Sequence, residues 1–289
     1  MTTERASRVV VGFDGSDEAT DAVRWGAAYA AQHGWSMLIL TAVAISGGWS
    51  KAHDEAEKTY RPRLEAAASE VAERWPEVNV ATRLAWGGPD KELLDAARGD
   101  DLLVVGNRGL GGFSGLLLGS VSNLTAGRGS GAVVVVPKHV RGLGESGPVV
   151  VGCDGSLESL TAARFAVEQA RLFGTNVVSV RVVQRGVASV PGSPTGEAVD
   201  RGVDDPVTAS VRRMAADAGV PVEFRVVRGD VIEVLTGLSE SALMVVTGRR
   251  GPSGVRGMLS GAVSRALARS ASCGVAIVRR GAERPDDAA

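Results

Sequence analysis

The sequence predicts two tandem Rossmann-like α/β domains, each an open five-stranded parallel sheet with helices on both faces. Three observations lead there. A glycine pattern, Gly106-x2-Gly109-x9-Gly119-Ser120, recurs 142 positions on as Gly248-x2-Gly251-x9-Gly261-Ala262. A second pattern, Gly12-Phe13-Asp14-Gly15-Ser16 after three valines, recurs 140 positions on as Gly152-Cys153-Asp154-Gly155-Ser156, again after three valines. Short apolar runs alternate with helical patterns throughout, as in parallel strands that are buried on both faces and joined by right-handed crossovers. An ordered set of loops repeated at near-constant spacing marks two copies of one domain. We place them at residues 1–140 and 147–281.

In the first copy, residues 8–13, 37–43, 78–85, 102–105 and 132–136 read as buried strands, the last stopped by Pro137. Residues 17–33 form a helical pattern with Ser16 as N-cap, Asp17 and Glu18 in the first turn, and Gly34 just past the end. Helices are also expected over 55–75 and 90–98. The second copy repeats the order, with strands at 148–153, 176–183, 221–227, 243–246 and 274–279 and helices at 157–173, 207–218 and 230–239. Residues 186–205, rich in Gly, Pro and Ser, read as a surface loop. Residues 137–147 read as the linker; their G-x-G-x-x-G is weak, because a strand follows where a dinucleotide site needs a helix.

The 289 residues suit about two domains, and a formal net charge of −1 supplies no single-sign field for nucleic acid. No apolar run approaches the ~20 residues of a membrane span, and the N-terminus carries no signal peptide pattern. Two cysteines make no disulfide framework, so a cytoplasmic protein is expected. His33, His53 and His139 have no ligand spacing, and no metal site of their own is expected.

In an open parallel sheet, ligands bind beyond the carboxyl ends of the strands where strand order reverses. If strands one and four are neighbours, the loops Gly12–Ser16 and Gly106–Gly109 face each other across one crevice. Glycines let backbone N–H groups approach phosphate oxygens, and Gly119-Ser120-Val121-Ser122 opens a helix whose N-terminus favours an anion. Asp14 is suited to a ribose hydroxyl or to a phosphate-bound Mg²⁺.

The glycine spacing, with Val10-Val11-Gly12-x-Asp14-Gly15-Ser16 and Leu103-Val104-Val105-Gly106-x-Arg108-Gly109, resembles the universal stress protein family and its G-2x-G-9x-G-(S/T) ATP-binding motif. The resemblance covers essentially the whole chain. It implies an adenine nucleotide alpha hydrolase-like fold that binds ATP, with Mg²⁺, as a regulator of stress or growth state. Gly12, Asp14 and Ala42 would meet the adenosine; Gly106, Arg108, Gly109, Gly119, Ser120, Val121 and Ser122 would line the phosphate path. In the second copy the matching residues are Asp154, Val182, Gly248, Gly251, Gly261, Val263 and Ser264. The resemblance also implies a homodimer, through the apolar last strand of each domain, and a regulatory protein partner that the sequence does not identify.

No Walker A motif, catalytic lysine or paired carboxylates accompany the loops, so no catalytic residue is expected and ATP hydrolysis at most slow. Two alternatives stay open: an ATP-cleaving enzyme of the related pyrophosphatase-type fold, its base within 47–60, and a nucleotide-free dimeric scaffold. Cys153, beside Asp154, reads as a small buried residue more readily than as a redox sensor.

The second copy departs at Ala262, where the family motif has Ser or Thr. A hydrogen bond to a charged group contributes roughly 1.5–3 kcal/mol, about ten- to a hundredfold in affinity. Domain one is therefore expected to bind ATP at least as tightly as domain two, checked by calorimetric titration of separately expressed halves; equal affinities would remove the weight placed on Ser120.

Overall fold

Valine triplets open both halves of the chain, and they become the central strand of each sheet. The computed structural model describes residues 7–44, 49–97, 101–109, 131–138, 140, 147–183, 198–199, 206–248 and 262–278. The chain divides into two compact units at Gly144/Glu145.

The first unit builds β1 (Arg8–Gly12), α1 (Asp17–His33), β2 (Ser36–Val43), α2 (Trp49–Arg74), β3 (Val80–Trp86), α3 (Pro89–Ala96), β4 (Leu102–Gly106) and β5 (Ala132–Val136). Its strands pair in parallel in the order β3-β2-β1-β4-β5. Strand order thus reverses between β1 and β4, where Val9, Val10 and Val11 pair with Leu102, Leu103 and Val104. Alternation along β1 sends Val9 and Val11 to α1 at Gly26, while Gly12 faces Leu93 of α3. Helices therefore cover both faces, and α2 packs beside α1.

Local chemistry sets α1. Ser16 Oγ accepts from the Ala19 N–H, acidic residues fill the first turn, and Gly34 ends the helix in the left-handed conformation at φ 64°. Arg24 of α1 reaches Glu70 of α2 at 2.7 Å. That hydrogen bond holds the Glu70 carboxyl below its usual range and raises the Arg24 guanidinium. On α2, Leu64, Ala67 and Val71 are buried at helical spacing.

The second unit builds β6 (Val149–Gly152), α4 (Leu157–Leu172), β7 (Val177–Val183), β8 (Ala198–Val199), α5 (Pro206–Asp217), β9 (Val222–Arg228), α6 (Val231–Ser239), β10 (Met244–Gly248), α7 (Ala262–Ser270) and β11 (Gly274–Val278). Its order is β11-β10-β6-β7-β9-β8, with the same reversal between β6 and β10. One face carries α4 and α5; the other carries α6, whose Leu235 lies against Gly152, and α7.

Three expectations need correction. The stretch 186–205 includes β8, which pairs antiparallel with β9 and adds a sixth strand, so this sheet is mixed. The second helix starts at Trp49, about two turns ahead of the expected 55, because Trp49-Ser50-Lys51-Ala52 holds no helix breaker. The third strand starts at Val80 because Val78 N–H still bonds the Trp75 carbonyl in the turn after α2.

A Cβ built on Gly106 would lie 2.8 Å from the Glu18 carbonyl carbon and oxygen, and one on Gly248 would lie 2.9 Å from the Glu158 oxygen. Both obstacles are helix backbone. Gly106→Ala and Gly248→Ala should each lower stability by about 1–3 kcal/mol, read from denaturant midpoints; an unchanged midpoint would show that α1 or α4 can move aside freely.

Candidate functional site

The crevice at the β1/β4 reversal is built from two turns that nearly touch. Gly12 ends β1, and the chain turns through Asp14 and Gly15, the latter at φ 86°. Asp14 Oδ1 accepts from the Ser16 N–H at 3.0 Å and from the Ser16 hydroxyl at 2.6 Å. This anchors the carboxylate at the start of α1. From the far side, β4 delivers Gly109 so close that a built Cβ would overlap Asp14 Oδ2. Only a residue without a side chain can occupy position 109 with Asp14 in this pose.

The second unit keeps the first turn. Asp154 Oδ1 accepts from the Ser156 N–H at 2.9 Å, Ser156 Oγ caps α4 through the Ser159 N–H, and Gly155 has φ 85°. The hold on the aspartate is looser: Asp14 is half-buried and Asp154 exposed, and Ser16 is buried where Ser156 is half-buried.

The structure brings Gly12, Asp14, Gly106 and Gly109 to one end of the β1/β4 pair, and Ala42 lies at the same end of β2, paired with Ala85 of β3. Arg108 is exposed between Asn107 and Gly109. Asp154, Gly248 and Val182 take the matching positions in the second unit. Gly119, Ser120, Val121, Ser122, Gly251 and Gly261 lie outside the described residues. Val263 is half-buried in the first turn of α7, one residue after the exposed Ala262.

Three positions carry a structural role that the sequence did not reveal. The lack of a side chain at Gly106 and Gly248 is accounted for by the helix backbone beside them. Ser264, expected to contact phosphate, is buried and turned to the protein: its hydroxyl donates to the Gly248 carbonyl at 3.3 Å and accepts from Thr247 Oγ1 at 3.2 Å. Ser264 thus straps the start of α7 to the end of β10 and draws the two ends of the glycine motif together.

Other participants went unread in the sequence. Asn107 is 8% exposed; its N–H donates to the Val136 carbonyl, but its buried side-chain oxygen has no partner among the described residues. A buried polar atom without a partner costs free energy, and a polar ligand could relieve it. Thr41 donates from its hydroxyl to the Phe13 carbonyl at 2.6 Å, locking β2 to the first turn. Lys138, after β5, lies within 4 Å of Asp17 and Glu18. Among the described residues no group of three or more His, Cys, Asp or Glu could hold a metal.

A reversal crevice, side-chain-free turns, a fixed carboxylate and an unsatisfied buried amide fit a polar ligand with hydroxyl and anionic groups. Nothing in the arrangement positions a base and a nucleophile together among the described residues.

Comparison with known proteins gives a consistent result. The model of the universal stress protein family matches residues 6–137 and 146–279. A universal stress protein of Mycolicibacterium smegmatis is 31% identical over 286 residues, covering 94% of this chain and 96% of that protein. One from Mycobacterium tuberculosis is 28% identical over 304 residues, with 94% of each chain covered. Among solved structures, a universal stress protein from Archaeoglobus fulgidus superposes with a TM-score of 0.73 at 18% identity, covering 96% of this chain and 100% of that one. No described helix is long and apolar enough to cross a membrane.

Ser16 both caps α1 and holds Asp14 through its hydroxyl, whereas the Ser156 hydroxyl caps α4 without a bond to Asp154. Ser16→Ala should cost about 1–2 kcal/mol and Ser156→Ala about 1 kcal/mol or less, measured by chemical denaturation. The reverse order would mean that the Ser16–Asp14 bond adds nothing.

Proposed function

The chain belongs to the universal stress protein family, and on that premise we propose that it is an ATP-binding regulator of stress or growth state. ATP acts in this reading as a bound ligand that sets conformation or partner choice. The observation that carries the proposal is the meeting of Gly109 with Asp14 across the β1/β4 reversal. It brings a fixed acceptor and side-chain-free main chain together at the mouth of the reversal, where a ribose and its phosphates would bind.

Roles follow from position. Asp14, oriented by Ser16, accepts from ribose hydroxyls, and Ala42 at the end of β2 borders the base. Gly109, Gly119, Ser120, Val121 and Ser122 carry the phosphates, the last four through the match to the family motif. Mg²⁺, when present, screens phosphate charge beside Asp14. Asp154, Val182, Gly251, Gly261 and Val263 form the second site. In this reading ATP turns over slowly at most. A homodimer, and cytoplasmic action on a regulatory protein partner, complete the proposal.

The test is the nucleotide content and ATP affinity of the purified chain beside Asp14→Ala and Gly119→Ala variants that still fold. ATP at a hundred times its dissociation constant should stabilise the parent by about 2.7 kcal/mol, visible in a melt, and each variant should lose most of the first-site signal. A parent that binds no nucleotide leaves the glycine loops as turns of a scaffold.

A further inference from the structure

Each unit sets one arginine against the glycine of its Asp-Gly-Ser turn, and the two arginines are not copies of each other. In the first unit Arg63 of α2 brings Nη1 to 3.0 Å and Cδ to 3.1 Å from a Cβ built on Gly15. In the second, Arg181 of β7 brings Nη2 to 3.1 Å from a Cβ built on Gly155. The equivalence of the strands is fixed by matching bonds, Phe13 N–H to the Leu40 carbonyl and Cys153 N–H to the Val180 carbonyl. Arg181 therefore occupies the position of Thr41. A long helix supplies the guanidinium in one half and a strand end in the other, so duplication alone does not account for the pair.

We propose that Arg63 and Arg181 are charge-selecting residues of the two nucleotide crevices, favouring a ligand that carries phosphate over the uncharged nucleoside. The inference rests on the ATP-binding reading above. Each turn carries its own negative charge, Asp14 or Asp154, which repels an anionic ligand. A guanidinium beside the next residue of the turn offsets that repulsion. Arg63 is exposed and, among the described residues, has no carboxylate partner; its nearest recorded neighbour beyond the turn is the Tyr60 ring, 5.8 Å from Cζ. Its place is set by the fold: Arg63 and Glu70 are seven residues apart on one face of α2, and Glu70 is fixed to α1 by Arg24 at 2.7 Å.

The experiment titrates the full chain and its Arg63→Ala, Arg63→Lys and Arg181→Ala variants with ATP and with adenosine at two salt concentrations. Arg63→Ala should weaken ATP at the first site about three- to tenfold and adenosine by less than about twofold. Its ATP affinity should also depend less on salt. Arg63→Lys should recover most of the loss, and Arg181→Ala should act likewise on the second site. Equal losses for ATP and adenosine would overturn the charge role in favour of packing on the base or ribose, and unchanged affinities would overturn it outright. A parent that binds neither ligand removes the ATP-binding reading and this inference with it, a result distinct from variants that bind like a competent parent.

Discussion

The first turn of α1 rests directly on the end of β4, and it can do so only because Gly106 has no side chain where the Glu18 backbone arrives. A methyl group there would push the helix start outward. Ser16, Asp14 and Gly15 would go with it, since Ser16 is both the helix cap and the donor that orients Asp14. Three residues further on, Gly109 meets Asp14 under the same constraint. Two side-chain-free points on one loop thus bring two turns from opposite sides of the strand-order reversal into register. The cleft is narrowest where Gly109, without a side chain, meets the Asp14 carboxylate. A cleft of that kind presents N–H groups to a ligand at fixed positions with little reorganisation.

The second unit solves the same packing problem in the same way, with Gly248 against Glu158 and Asp154 bonded to Ser156. Around that shared frame the walls differ. Phe13 becomes Cys153 and Thr41 becomes Arg181, so the hydroxyl that locks β2 to the first turn has no counterpart at Arg181. The strap that Thr247 and Ser264 make has Val105 at the position of Thr247, and a valine supplies no hydroxyl. The first half ties β1 to β2 through Thr41, and the second ties β10 to α7 through Thr247 and Ser264.

Much of this was legible in the residues because it is local. The caps Ser16 and Ser156, the helix end at Gly34 and the strands from valine-rich runs follow from short-range chemistry. Adjacency of β1 and β4 was readable only as a condition of the loops acting together, and the pairing of Val9–Val11 with Leu102–Val104 meets it. What escaped depends on three-dimensional approach. Nothing in the sequence says that position 106 lies on a helix backbone, so its glycine read as a phosphate contact. Arg63 lies 48 positions from Gly15, and its place there depends on the packing of α2 along α1. Strand β8 hides in a Gly-, Pro- and Ser-rich stretch whose composition signals a loop, and its pairing depends on the edge that β9 offers.

The two crevices consequently divide one problem differently. In the first, the aspartate is half-buried, doubly bonded to Ser16 and covered by Gly109, while the cation stands outside on a long helix. Its acceptor is rigid and its charge adjustable. In the second, the aspartate is exposed with a single bond from Ser156, while the cation grows from the strand itself and is half-buried. Its charge is rigid and its acceptor adjustable. A preorganised acceptor favours a ligand through hydroxyl geometry, since little entropy is lost in fixing it; a preorganised cation favours a ligand through its net charge. In the proposed ATP-binding reading, both units therefore pair an acceptor for the sugar with a cation for the phosphates, and they differ in which of the two the protein holds more firmly.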